Sequence, residues 1–323
     1  MKYQVTTANN PIIPAYFQGR WTVKTIKNIP VMFSTNLGAE LWFQVQRASY
    51  VMISMLDLAV AAGAWIAIQI DGLPYQRVAV KTLPLRLTLD GRPHVIRVVM
   101  SGNTDQDPIW DGTSGFAVSG LKTDGDLQAV KPGQHSVTFI GDSITAGCWV
   151  AGKTPAEDYR GEANYAAIAS DLLGARNVRI AYSAIGLNKP GKGGVPPLPA
   201  VLTAIDGQTA WQPTPTDVVV INVGTNDGLE SATSFTALLK QFINQVALLY
   251  PNSRLAVLIP FNQRFDQVIR TVVPEFMDVQ LIETADWEPS TTDHVHLDLA
   301  GSQLAGHCLA QALRQLYPEI FTG

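Results

Sequence analysis

The sequence is poor in cysteine, in charge and in long apolar runs, and each shortage excludes something. Two cysteines in 323 residues, Cys148 and Cys308, make neither a disulfide framework nor a cysteine zinc site. As free thiols both are expected to be buried. Only 15% of the residues are charged, and a net charge of −4 gives no basic footprint for nucleic acid or an anionic membrane. The longest apolar stretch, Leu58 to Ile68, falls short of the ~20 residues that span a bilayer. Met1 to Thr6 contain no apolar leader, so the chain as given is expected to be cytoplasmic, or secreted if a leader was removed before Met1. No repeat or phosphate-binding loop is present, since Gly191-Lys192-Gly193-Gly194 lacks the P-loop spacing. No His, Cys or Glu cluster has zinc spacing, and neither metal nor cofactor is expected.

What is present divides the chain in two, and its length suffices for two cores. Between Trp21 and Ser119 the pattern has period two: Leu41, Phe43 and Val45 alternate with Trp42, Gln44 and Gln46, and Ile66, Ile68 and Ile70 with Ala67, Gln69 and Asp71. Leu85, Leu87 and Leu89 repeat the pattern, a strand follows from His94 to Met100, and Asp71-Gly72 and Asp90-Gly91 are hairpin signals. Short strands without a helical period predict a separate β-sandwich or jelly roll over residues 1–130. Lys122 to Gln134, rich in Gly, Asp and Lys, is expected to be the linker.

Over residues 131–323 the pattern is α/β. Strand-like runs at Ser136 to Ile140, Val178 to Ala184, Val218 to Val223, Leu255 to Ile259 and Val279 to Ile282 alternate with helical spacing around Tyr165 to Leu172, Phe235 to Leu249, Gln263 to Val273 and Leu299 to Leu316. This predicts a parallel sheet with helices on both faces, whose sites lie beyond the carboxyl ends of the strands.

Four polar stretches fall there. Gly141-Asp142-Ser143 is a tight turn between strand and helix, able to present a serine hydroxyl beside unpaired helix amides; alone it is ordinary turn composition. Gly186 follows the second strand, Gly224-Thr225-Asn226-Asp227 ends the third, and Asp293-His294-Val295-His296 lies near the C-terminus. A serine nucleophile needs a base. His296 is the better base, because Asp293 three residues earlier can fold back onto its other ring nitrogen, whereas His294 adjoins that acid. The Asn226 side chain and the N–H groups of Gly186 and Ser143 are candidates for an oxyanion hole. Asp142 and Asp227 are read as braces of their turns, and Asp298 as a helix N-cap. Trp149 and Trp287, near the Ser and the Asp/His in sequence, are candidates for lining the substrate pocket, though tryptophan is mostly core. The Pro- and Gly-rich loop Asn188 to Pro199 is expected at the rim of the site.

With these four blocks in this order over residues 136 to 317, the chain resembles the SGNH (GDSL) hydrolase superfamily. The resemblance implies a flavodoxin-like sheet, a triad of Ser143, Asp293 and His296, and hydrolysis of esters through an acyl-enzyme. Gly19-Arg20-Trp21, Ile68-Gln69-Ile70-Asp71-Gly72 and His94-Val95-Ile96-Arg97-Val98 resemble the N-terminal sandwich of carbohydrate esterase family 2. That similarity implies acetyl groups on carbohydrate hydroxyls as the substrate; because the triad lies wholly within residues 136 to 317, the sandwich is expected to supply no chemistry and either to shape the site or to pack beside it. An acyltransferase, lipase or thioesterase would use the same triad, and a carbohydrate-binding protein with relic blocks is the alternative of another class.

Overall fold

The computed structural model describes residues 2–321. Period-two alternation in the first part of the chain yields strands β1 (Tyr3–Thr6), β2 (Tyr16–Gln18), β3 (Thr22–Ile26), β4 (Ile29–Ser34), β5 (Glu40–Gln46), β6 (Tyr50–Leu56), β7 (Trp65–Ile70), β8 (Gln76–Ala79), β9 (Leu85–Thr88), β10 (His94–Gly102), β11 (Phe116–Thr123) and β12 (Asp126–Pro132). They form two antiparallel sheets, β1-β12-β5-β10-β7-β8 with β2 also on β5, and β3-β4-β11-β6-β9. The alternation decides which side chains meet between them: Leu41, Phe43 and Val45 of β5 and Ile96 and Val98 of β10 pack against Val51 and Ile53 of β6 and Phe116 and Val118 of β11.

The expected linker does not exist. Lys122 and Thr123 end β11, and Asp126 to Pro132 form β12, which pairs with both β1 and β5. Leu127, Ala129 and Val130 supply enough apolar surface for a strand that is covered on both edges, and Pro132 falls on its last residue, where a missing N–H is tolerated.

The second part contains β13 (Ser136–Gly141), α1 (Ser143–Ala146), α2 (Tyr165–Leu173), β14 (Arg176–Ala181), α3 (Leu198–Val201), a small hairpin β15 (Ala204–Asp206) and β16 (Thr209–Ala210), β17 (Val218–Asn222), α4 (Ala232–Leu249), β18 (Arg254–Leu258), α5 (Asp266–Val272), β19 (Val279–Ile282), α6 (Leu299–Leu316) and α7 (Pro318–Phe321). The large sheet is parallel, in the order β14-β13-β17-β18-β19. Both of its faces are covered, by α4 and α5 on one side and α2 and α6 on the other, which is why its strands read as unbroken apolar runs. The order reverses at β13, so the strand that ends in Gly141 stands at the switch point where such sheets build their sites.

Helix α4 starts three residues ahead of its sequence-based bound because Ser231 caps it, accepting the Ser234 amide at 3.1 Å. Asp298 caps α6 as expected. Cys148 is buried, but Cys308, on α6, is only half-buried. No helix among the described residues is long and apolar enough to cross a membrane.

The two sheet systems do not stand apart. Val31, Phe33 and Ala117 from the antiparallel part belong to the same buried cluster as Ile140, Val178 and Ile180, and Ala146, Cys148 and Tyr159 close the core of the sandwich. Arg20, with no exposed surface, donates to the Val201 carbonyl at 2.8 Å and the Ala204 carbonyl, and stacks over Trp211. Arg97 joins Glu40 of its own sheet to Asp171 of α2.

Candidate active site

Ser143 is buried at the first position of α1, directly past the end of β13. Asp142 caps that turn, its Oδ1 accepting the Ile144 amide at 2.9 Å. The Ser143 carbonyl accepts the amides of Gly147 and Cys148, both at 3.0 Å. The Ser143 N–H, first amide of the turn, donates to none of the described residues.

His296 Nε2 lies 2.8 Å from Ser143 Oγ, and its Nδ1 lies 2.8 Å from Asp293 Oδ2. Asp293 Oδ1 accepts the amides of Val295 at 3.1 Å and His296 at 2.8 Å, a turn that aims the ring back at its own acid. His294, between them, takes a left-handed backbone with φ 68° and is exposed. Burial pushes the Asp293 carboxyl up, but hydrogen bonds from the His296 amide and ring outweigh it and leave the group below its ordinary value.

Asn226 Nδ2 donates to the Ile185 carbonyl at 3.0 Å, which leaves one of its two N–H bonds to donate elsewhere. The expectation for Gly186 is corrected: its N–H donates to the Lys189 carbonyl at 2.9 Å and is not a free donor. Glycine is needed there for another reason, since a Cβ would sit 2.5 Å from Asp227 Oδ1, the atom that accepts the Leu187 amide at 2.7 Å. Two residues earlier, Ala184 holds a left-handed φ of 61° and its amide donates to none of the described residues. Nothing in the run Ala184-Ile185-Gly186 signals that the alanine takes the unusual conformation.

Asp142 braces its own turn as expected, whereas the Asp227 side chain braces the loop after β14, accepting the amides of Leu187 at 2.7 Å and Asn188 at 3.4 Å. Burial, reinforced by Asp227, pushes the Asp142 carboxyl up to about 7, against the pull of the Ile144 amide. Trp149 lies beside the base, its ring 6.3 Å from that of His296 and edge-on to Tyr159 at 4.9 Å. Trp287 does not: it packs on Phe261 and lines a groove with Leu281, Cys308 and Leu316, residues of β19 and α6. Its closeness to Asp293 in sequence is lost because the loop after β19 turns it under α6.

The Asn188 to Pro199 loop is fastened rather than free. Gly193 O accepts the Trp110 amide at 3.1 Å, and the Lys192 amide donates to the Ser183 carbonyl at 2.9 Å. Chemically, the arrangement supplies a hydroxyl, a base in hydrogen-bond reach, an orienting carboxylate and nearby free donors, the parts needed for acyl transfer.

A family model described as GDSL-like lipase/acylhydrolase matches residues 139–304. The cellulase/esterase CelE of Acetivibrio thermocellus is 32% identical over 142 residues, which is 40% of this chain and only 17% of that protein's length. A family two carbohydrate esterase from Clostridium thermocellum, solved in complex with cellohexaose, superposes with a TM-score of 0.77 at 22% identity, covering 94% of this chain and 99% of its own. The acetyl xylan esterase Est2A of the rumen bacterium Butyrivibrio proteoclasticus gives 0.75 at 19% identity, covering 98% of both chains. At these identities the likeness is one of fold, and it takes in the antiparallel and the parallel parts together.

Proposed function

The chain belongs to the GDSL-like lipase/acylhydrolase family and carries an esterase domain, and on that premise we propose that it removes small acyl groups, acetyl above all, from carbohydrate hydroxyls. The observation that carries the reading is the pair of 2.8 Å contacts that link Ser143 Oγ, His296 and Asp293 in one line. Ser143 Oγ attacks the acyl carbonyl carbon as its proton passes to His296 Nε2. The tetrahedral oxyanion is met by the Ser143 N–H and the second N–H of Asn226, with the Ala184 amide in the role first expected of Gly186. Collapse breaks the bond to the alcohol oxygen, which leaves with the proton from Nε2. Water then repeats the sequence on the acyl-enzyme, its proton going to His296 and the acid being released. Asp293 keeps Nδ1 protonated, so that Nε2 is the nitrogen free to accept.

The substrate class takes its direction from the relatives: one was solved with cellohexaose bound, and the other is an acetyl xylan esterase. We take the expected boundary at 130/131 as shifted to the end of β12, so that residues 1–132 form the β-sandwich and the chain from β13 onward the catalytic part, which assigns every reacting group to the latter. A polymeric carbohydrate substrate favours secretion over the cytoplasm, and comparing culture medium with cell extract tests that. The activity is tested with acetylated mono- and oligosaccharides beside p-nitrophenyl esters of increasing acyl length. Release of acetate from the sugars in preference to longer acids is expected; hydrolysis of neither series would overturn the assignment.

A further inference from the structure

Beside the nucleophile turn lies a cavity whose lining includes none of the triad. It is small, about 20 Å³, room for one water-sized group. On one side its walls are Ala146 and Cys148 of the nucleophile turn and Ala181 at the end of β14; on the other they are Asn103 and Asp105, which follow β10 in the antiparallel part. The cavity therefore closes only where the two parts of the chain meet.

Its polar groups are incompletely used. Asn103 is 9% exposed, yet its Nδ2 has no hydrogen-bond partner, and a buried amide donor left unmatched is costly unless something fills the space beside it. Asp105 is half-buried and accepts the Ser183 hydroxyl through Oδ2 at 3.0 Å, which leaves the carboxylate further acceptor capacity. Lys192, exposed, lines the mouth. A donor and an acceptor around a water-sized space match one hydroxyl group, which both donates and accepts. Tyr159, buried, lines the cavity on one side and packs edge-on against Trp149, whose ring lies 6.3 Å from that of His296. Trp149 is held at φ 61°, a conformation bulky residues rarely adopt and one that the surrounding structure must enforce. Tyr159 thus stands between an aromatic ring and a pair of hydrogen-bonding groups, and a sugar presents both an apolar C–H face and polar hydroxyl edges.

We infer that Asn103 and Asp105, carried by the antiparallel part, are specificity-determining residues that bind a hydroxyl of the sugar portion of the ester. The inference rests on the esterase reading above and gives the sandwich a part in substrate choice. The test compares Asn103→Ala, Asp105→Ala and the milder Asp105→Asn with the parent on an acetylated sugar and on p-nitrophenyl acetate. The two alanine variants should lower kcat/KM for the sugar about 10-fold or more beyond any loss on p-nitrophenyl acetate, chiefly through KM, because only the sugar has the hydroxyl. Asp105→Asn keeps an acceptor for Ser183 and should lose less. Equal losses on both esters, or an unchanged ratio, overturn the inference.

A parent inactive on both esters would count against the esterase reading instead. In that event, titration of Ser143→Ala with unesterified xylobiose, with and without Asp105→Ala, still decides the subsite. Weaker binding in the double variant supports it, and equal binding refutes it.

Discussion

Asp293 holds His296 at two points: Oδ1 accepts its amide at 2.8 Å, and Oδ2 faces ring Nδ1 at the same distance. The first contact makes the turn, and the second determines which nitrogen remains for Ser143. Because both arise within four residues, the base is positioned by local chain geometry, and β13 has only to deliver the serine to it.

Ser143→Ala and His296→Ala should each lower kcat by about 10⁴-fold or more with the fold kept, since nucleophile and base act as a unit. Asp293→Asn should cost about 10²- to 10⁴-fold through loss of the correct tautomer. His294→Ala, at an exposed position that makes no side-chain hydrogen bond to Asp293 or Ser143, should stay near the parent. Steady-state kinetics on p-nitrophenyl acetate, with circular dichroism to verify folding, distinguish these; an active Ser143→Ala would remove the mechanism.

Asn226→Ala should reduce kcat by roughly 10²- to 10³-fold with a smaller change in KM, as expected for a donor that meets developing charge. The same side chain also holds the Ile185 carbonyl. Should KM rise while kcat is kept, Asn226 would be a loop brace and substrate contact, with the oxyanion left to the backbone amides.

The parts of the site that were legible in the sequence are those built by short-range geometry. Gly141-Asp142-Ser143 and Asp293 to His296 are turns whose hydrogen bonds close within a few residues. Gly186 was misread because the acceptor of its amide, the Lys189 carbonyl, depends on how the following loop curls, and glycine is equally demanded by the approach of Asp227 from another strand. Strand β12 was hidden because its neighbours β1 and β5 lie far away in sequence, and the Gly, Asp and Lys on and around it mask the short apolar set Leu127, Ala129 and Val130. Arg20, part of the Gly19-Arg20-Trp21 stretch, is fully buried against carbonyls some 180 residues away, a pairing nothing near it in sequence signals. Such long-range pairings leave no periodic trace.

The Asp142 carboxyl links stability to pH. Unfolded, it titrates near its ordinary 3.8; folded, burial raises it to about 7. Between these values the folded state keeps a proton that the unfolded chain has released, so this group lowers stability as pH rises from 4 to 7 and adds no further slope above. Asp142→Asn preserves an acceptor for the Ile144 amide and removes the titration. Its stability relative to the parent should therefore climb by up to about 4 kcal/mol across that window. Urea unfolding at pH 4, 5.5, 7 and 8 would reveal this, and parallel profiles for the two proteins would mean that Asp142 does not retain its proton.

The docked rim loop offers a matched pair of substitutions. Gly193 and Gly194 both have left-handed backbones, at φ 66° and 78°, so alanine at either carries similar conformational strain. They differ in what a Cβ would meet: at Gly193 it would lie 2.4 Å from the Asp107 carbonyl oxygen and 2.9 Å from Ile109 Cγ1, whereas at Gly194 its nearest neighbour is Trp110 Cβ at 3.7 Å. Gly193→Ala should accordingly push the loop off the segment that carries Asp105, and Gly194→Ala should not. Both should lose about 1 kcal/mol to backbone strain, with a larger total loss for Gly193→Ala. If the docking sets the size of the site, only Gly193→Ala should alter the relative kcat/KM of p-nitrophenyl acetate, butyrate and octanoate, admitting the longer acyl chains more readily. Ser143 should still react in both variants, because the loop contributes none of the triad. Identical chain-length profiles for parent, Gly193→Ala and Gly194→Ala would separate the loop from acyl selection and turn attention to Trp149, the aromatic wall beside His296.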